Sequence, residues 1–194
     1  AFLDGSKPAI ESTAIANATG LHAPANGLSF PPASVEQIPT VMRLRSQGGV
    51  LDQTGVVEVA SSLHPDGRSV GYDIRKGVWV CVEAPNDYIA RCFKEYQVFT
   101  DPEGRCMVQY KKWHLIGLEL GISVASVGLR GEPTGVARCF NADVVATAKR
   151  DLKPGEVLDG EGGYTVFGKL FPARDSVARR NVPLGLAHDL KLIR

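Results

Sequence analysis

Asp4-Gly5-Ser6-Lys7, with Glu11 one helical turn further on, are the residues whose types and spacing best suit chemistry. A lysine held between a turn and a helix start can polarise a carbonyl or hold a phosphate, and a neighbouring carboxylate can relay protons. Lys7 and Glu11 lie four apart, so a helix puts them on one face. Lys preceding Glu is the weaker order for stabilising a helix, so helix propensity explains the pair poorly. A solvated ion pair on a capped surface helix has the same spacing. His114 is the second focus. It follows Tyr110-Lys111-Lys112-Trp113, and a histidine beside two lysines can contact a phosphate or act as an acid or base. A structural histidine capping a helix fits that spacing equally well. On a helix starting at His114, Glu119 lies roughly 140° round the axis, which excludes a simple metal pair.

These groups need elements to hold them. The Asp4-Gly5-Ser6 turn leads into a helix with Pro8 in its first turn, Ser6 as N-cap and Gly20 as a left-handed stop. Ile10, Ala14, Ala18 and Leu21 share one face of it. Residues 22–32 read as a loop, and Ser34 caps a short helix to about Arg43 with Val35, Ile38 and Met42 on one side. The β-branched stretches 55–63, 69–72 and 78–84, separated by His64-Pro65-Asp66-Gly67, read as two or three adjacent antiparallel strands, the last of them central. Pro85-Asn86-Asp87 starts a second amphipathic helix with Tyr88, Cys92 and Phe93 inward. Asp101-Pro102-Glu103-Gly104 is a turn before a strand at 105–110. Residues 114–130 read as the longest apolar helix, with Gly117, Gly121, Ala125 and Gly128 in a stripe that suggests close approach of another group.

The character changes after the Gly131-Glu132-Pro133-Thr134-Gly135 linker. Short strands are expected at 142–148, 157–158, 165–171 and 190–193. Gly160-Glu161-Gly162-Gly163 is a turn and not a dinucleotide fingerprint, because the third glycine and the following helix are missing. The fold class is therefore α+β. A mixed sheet packed with helices occupies residues 1–135, which the family resemblance given below implies to be a substrate and dimerisation domain; a small β-rich module occupies 136–194.

The bulk numbers narrow the function. With 22 basic and 21 acidic residues the net charge is +1, which gives no footprint for nucleic acid or for an acidic membrane surface. No apolar run is long enough for a membrane span. Cys81, Cys92, Cys106 and Cys139 form no CxxC, so free thiols of a cytoplasmic protein are expected rather than disulfides or a zinc site. Ala1-Phe2-Leu3 reads as the end of a strand entering the Asp4 turn, and the chain is expected to be the carboxy-terminal part of a longer protein.

Two stretches resemble a known family. Residues 142–171, including Val144-Val145-Ala146-Thr147-Ala148-Lys149-Arg150-Asp151-Leu152-Lys153-Pro154-Gly155-Glu156, resemble the SAF domain. The opening Asp4-Gly5-Ser6-Lys7-Pro8-Ala9-Ile10-Glu11 and the run from His114 to Ala125 are similar to homoserine-dehydrogenase-like oxidoreductases that carry a SAF tail. That group includes a reductoisomerase similar in activity to deoxyxylulose-phosphate reductoisomerase, which makes methylerythritol phosphate for isoprenoid synthesis with NADPH. The resemblance implies Lys7 as a catalytic residue, with Asp4 or Glu11 assisting proton transfer or holding a divalent metal. His114, by position only, and Ser6 and Asn17 are the candidate substrate-binding residues. The resemblance also implies an amino-terminal Rossmann domain for the NADPH, which this sequence lacks, a small sugar phosphate as substrate, and a homo-oligomer. The alternative is a non-enzymatic SAF-type module for sugar binding, regulation or assembly.

Overall fold

The computed structural model describes residues 3–193 and is α+β. Helix α1 (Ser6–Thr19) is followed by a 3-10 turn (Val35–Gln37), α2 (Ile38–Val41), a second 3-10 turn (Arg45–Gln47), β1 (Val78–Glu83), α3 (Asp87–Glu95), β2 (Cys106–Lys111) and α4 (Leu120–Arg130). Then come β3 (Ala142–Ala148), β4 (Val157–Asp159), β5 (Val166–Pro172), α5 (Ala173–Ala178), a 3-10 turn (Leu184–Leu186) and β6 (His188–Lys191). The strands form three two-stranded antiparallel ladders, β1–β2, β3–β5 and β4–β6. Of the strand end expected at Ala1-Phe2-Leu3, only Leu3 lies within the described residues. The chain divides into two compact units. One takes the residues up to Ser29, Gly55–Val59 and everything from Gly135 onward; the other takes Phe30–Thr54 and Ala60–Thr134. The segment 136–194 thus shares its unit with α1.

In the first unit α1 lies on the β3–β5 ladder, whose register runs from Ala142↔Pro172 to Ala148↔Val166. The buried face of α1 is Ser6, Ala9, Ser12 and Ala16. This corrects the expected face. Ala14 is exposed, and Ile10 sits at the side against Leu158, Val166 and Leu184. The reason is close approach: Gly168 of β5 lies so near that a Cβ there would come within 3.5 Å of Ser6 Cα and 2.7 Å of Val144 and Leu184 side-chain carbons. The contact at Ser6 is close, and both isoleucines of the helix lie off its inner face, Ile10 at the edge and Ile15 exposed. Ser6 is also not the N-cap. Gly5 holds that position with φ 82°, a left-handed conformation that favours glycine, and Gly20 ends the helix with φ 83°. Asn17 fixes the far end of α1. Its Oδ1 accepts from Asn141 N (2.8 Å) and Ala142 N (3.0 Å), and its Nδ2 donates to Ala142 O (3.0 Å).

In the second unit the capped turn at Ser34 forms as expected. Ser34 and Gln37 make a reciprocal capping box, and Val35, Ile38 and Met42 are buried with Ala33, Ala60, Ile74 and Val108. The expected run of adjacent strands over 56–84 is not formed. Only β1 is a strand, and its partner is β2, with Val78 opposite Lys111 and Glu83 opposite Cys106. Residues 55–63 and 69–72 carry isolated bridges, such as His22↔Val56 and Leu63↔Ser69. Val57, Ala60 and Val70 are still buried, so their apolar character serves cores that irregular backbone reaches. In α3, Asn86 caps the helix by accepting from Ile89 N, Phe93 is buried, and Tyr88, expected inward, is exposed. Helix α4 is shorter than the expected 114–130: residues 114–115 are irregular and 116–119 are turns, with Gly117 at φ 85°. Among the described residues, a Cβ at Gly117, Gly121 or Gly128 would meet nothing within 4 Å, so the expected close approach is not made there. All four cysteines are free. No helix among the described residues is long and apolar enough to cross a membrane.

Replacing Asn17 by alanine strips three backbone groups of their partners at the α1–β3 junction. Urea unfolding should show a loss of roughly 2–4 kcal/mol, since each unsatisfied buried group costs about 1–3 kcal/mol. Glu11→Gln on the outer face of the same helix should stay within about 0.5 kcal/mol of wild type.

Candidate functional site

The residues at the start of α1 divide between two environments. Asp4 faces inward. Its Oδ1 accepts from Ser6 N at 3.0 Å, and its Oδ2 is 2.6 Å from the Lys149 ammonium just beyond β3. Lys149 Nζ also donates to Gly163 O at 2.6 Å. Partial burial pushes the Asp4 carboxyl up, but hydrogen bonds from Lys149 and Ser6 together outweigh it and hold the group well below the usual carboxylate range. The Ser6 hydroxyl, fully buried, accepts from Gly168 N of β5 at 2.8 Å. Lys7 faces outward. Its ammonium lies 3.2 Å from Glu11 Oε1, with the two side chains 34% and 49% exposed, which leaves both within reach of a ligand. The structure thus keeps the expected Lys7–Glu11 face, and it assigns Asp4, Ser6 and Asn17 to contacts within the fold.

Lys149 is the residue that sequence reasoning missed as a partner of this turn; no spacing signal links positions so far apart. A second ordering group lies beside it. The Asp159 carboxylate accepts from Thr165 Oγ1, Tyr164 N and Thr165 N, closing the glycine-rich turn, and a Cβ on Gly163 would run into it. The Thr165 hydrogen bond is the main reason that the Asp159 carboxyl is held down at about 2. Residues 159–163 are therefore a carboxylate-centred turn, in keeping with their reading from sequence.

His114 belongs to the second unit. Its Nδ1 is 3.1 Å from Glu119 Oε2, and Lys111 Nζ pairs with the other oxygen of Glu119. This overturns the helical argument that separated His114 from Glu119: with irregular backbone at 114–115 and turns at 116–119, the two side chains meet. The hydrogen bond from Lys111, chiefly, lowers the Glu119 carboxyl against the opposing effect of burial. The result is a surface lysine–carboxylate–histidine cluster in which Glu119 engages Nδ1 and Nε2 makes no hydrogen bond among the described residues. The same unit has a cleft of about 380 Å³ lined by Arg43, Glu83, Asp101, Glu103, Arg105 and Cys106. Asp101, buried, accepts from Arg105 N and Cys106 N and pairs with Arg43 at 3.0 Å, so its charge stabilises the turn before β2. Burial, with help from Cys106, Asp101 and Glu83, pushes the Cys81 thiol up to about 12, which excludes it as a thiolate nucleophile at neutral pH. Among the described residues no group of three or more His, Cys, Asp or Glu side chains is placed to hold a metal ion.

Residues 1–120 match the family model of the oxidoreductase DRL catalytic domain. The chain belongs to that family, and its chemistry is that of an oxidoreductase catalytic domain. The matched span contains Asp4, Ser6, Lys7, Glu11, Asn17, Lys111, His114 and Glu119. No protein of curated function matches the chain.

The Asp4–Lys149 pair sets an acid limit on the first unit. A carboxyl whose folded value is depressed stabilises the fold above its unfolded value, about 3.9, and that contribution is lost as pH falls through the folded value. Stability from urea unfolding should therefore fall steadily below about pH 4. In Asp4→Asn or Lys149→Met the neutral-pH stability should be lower and the acid limb shallower. An unchanged acid limb in both variants would show that Asp4 is not the group responsible.

Proposed function

We propose that the chain forms the substrate side of an NADPH-dependent reductoisomerase acting on a small sugar phosphate, of the kind that turns deoxyxylulose phosphate into methylerythritol phosphate. The observation that carries this reading is the family match over residues 1–120, because that span holds the outward-facing Lys7–Glu11 pair and the His114 cluster. Within it Lys7 is the ligand-facing cation. Its ammonium would bind a carbonyl oxygen or a phosphate, where a fixed positive charge stabilises developing negative charge. Glu11, 3.2 Å away, would hold that ammonium in place and accept or return a proton. His114 would present Nε2 to the substrate while Glu119 fixes the ring through Nδ1. Asp4, Ser6 and Asn17 are positioning residues in this reading: they set where α1 starts and how it sits, and through it where Lys7 points.

NADPH supplies the hydride in such a reaction. The described residues do not fit that cofactor. All their ladders are antiparallel, whereas a dinucleotide site of the Rossmann kind needs a parallel βαβ unit with a glycine-rich turn. NADPH would therefore sit on a separate nucleotide-binding domain. The segment 136–194 is read as the SAF-like tail of this enzyme class, and the four free thiols fit a cytoplasmic setting.

The test is a panel of sugar phosphates and sugar acids offered to the full-length protein with NADPH, following nucleotide oxidation. One sugar phosphate should be turned over, and Lys7→Ala should lower kcat/KM at least about 100-fold with an unchanged circular dichroism spectrum. Glu11→Gln should lose less, about tenfold. Wild-type turnover in Lys7→Ala would sink the assignment of that residue, and inactivity of the wild type on every sugar phosphate would sink the substrate class.

A further inference from the structure

Two cations meet over one ring on the outer face of β5, where Lys169 and Phe171 alternate with the buried Gly168 and Leu170. Lys169 Nζ lies 5.4 Å from the centroid of Phe171, and the Arg179 guanidinium carbon lies 5.7 Å from it. The ring attracts a cation, but a second one adds like-charge repulsion. Among the described residues, the side chains of Lys169, Arg179 and Arg180 make no ion pair and no hydrogen bond. The carboxylates nearby are held by other groups. Asp143, opposite Phe171 in the ladder, accepts from Ser176 Oγ at 2.6 Å, and Asp175 lies 3.3 Å from Arg174. From Val166 to Val182 the sequence sets Lys169, Arg174, Arg179 and Arg180 against Asp175 alone, in a chain whose net charge is +1.

The backbone holds these cations at a conformational cost. Gly27, at φ 81°, lies against the Lys169 stem, where a Cβ would come within 3.3 Å of Lys169 Cε and 3.0 Å of Leu170 O. Arg180 takes φ 53° just past α5, a left-handed position that glycine or asparagine usually fills, and its N–H donates to Val177 O at 3.0 Å. An arginine there gives up a firmer helix end, and its charge gains no partner among the described residues. Apolar surface adjoins the cations. Val177 is 65% exposed and lies three residues from Arg174 on α5, so the two share a face. We propose that Lys169, Phe171, Arg174, Val177, Arg179 and Arg180 form a docking surface for an acidic segment of a partner protein. Such a segment complements both parts of the patch, with carboxylates on the guanidinium groups and an apolar side chain against Val177. Nucleic acid complements it less well. Cations cover the Phe171 ring, on which a base would have to stack, and the chain as a whole has no basic field. The surface lies outside the span of the family match, so it stands apart from the proposed reaction.

The test titrates an acetylated, amidated peptide, Glu-Asp-Leu-Glu-Asp, into the isotope-labelled whole chain and follows amide chemical shifts. The neutral control is Gln-Asn-Leu-Gln-Asn. The amides of Lys169, Phe171, Val177 and Arg179 should shift saturably with the acidic peptide, less so as salt is raised, and not with the control. Lys169→Gln and Arg179→Gln together should weaken binding at least about tenfold with an unchanged circular dichroism spectrum. Arg180→Gly, which keeps the left-handed turn, should weaken it about threefold. Absence of saturable shifts at these amides, or a double variant that binds the peptide as the wild type does, would overturn the surface. Competition separates the classes of anion. If inorganic phosphate or oligothymidylate displaces the peptide at concentrations below the peptide's own, the assignment to a protein partner is overturned.

Discussion

The docking of α1 on the β3–β5 ladder is the constraint on which the first unit depends. Alanine and serine bury little apolar surface, so the hydrophobic gain at this contact is small for a 14-residue helix. Polar contacts fix its place instead. Ser6 meets Gly168, Asn17 meets Asn141 and Ala142, and Asp4 meets Lys149, so both ends of the helix are pinned to segments more than 120 residues away. Small residues on the inner face let the helix come close enough for these hydrogen bonds. A bulkier face would hold the helix away from the sheet and leave the backbone of β5 without the Ser6 hydroxyl.

That docking decides what the chemically interesting residues can do. Asp4 and Lys7 are three apart in sequence, yet one is an inward carboxylate bound to an ammonium and the other an outward cation. Asp4 keeps its charge because Lys149 and Ser6 compensate the loss of water around it. It is therefore poorly suited to exchange protons near neutral pH. The Lys7–Glu11 pair retains solvent on both members, so a ligand can displace the weak interaction of an exposed ion pair. The fold thus separates a carboxylate that anchors from one that stays exposed.

Local signals were legible in the sequence and partnerships were not. The Ser34–Gln37 cap, the αL glycine after α1, the turn at Asp101 and the strand at 142–148 follow from residue chemistry over a few positions, and all form. The pairing of β1 with β2 is missed because the intervening α3 separates them and nearer β-branched segments compete for the assignment. The buried face of α1 is missed because hydrophobicity points to Ile10, whereas proximity to Gly168 selects the smallest side chains. At the candidate site Lys7 and Glu11 are readable from their spacing. Lys149 is not, since a tertiary ion pair leaves no periodic trace. The meeting of His114 and Glu119 is hidden for a different reason: the apolar pattern continues through 114–119, whereas Gly117, at φ 85°, takes these residues out of the helix.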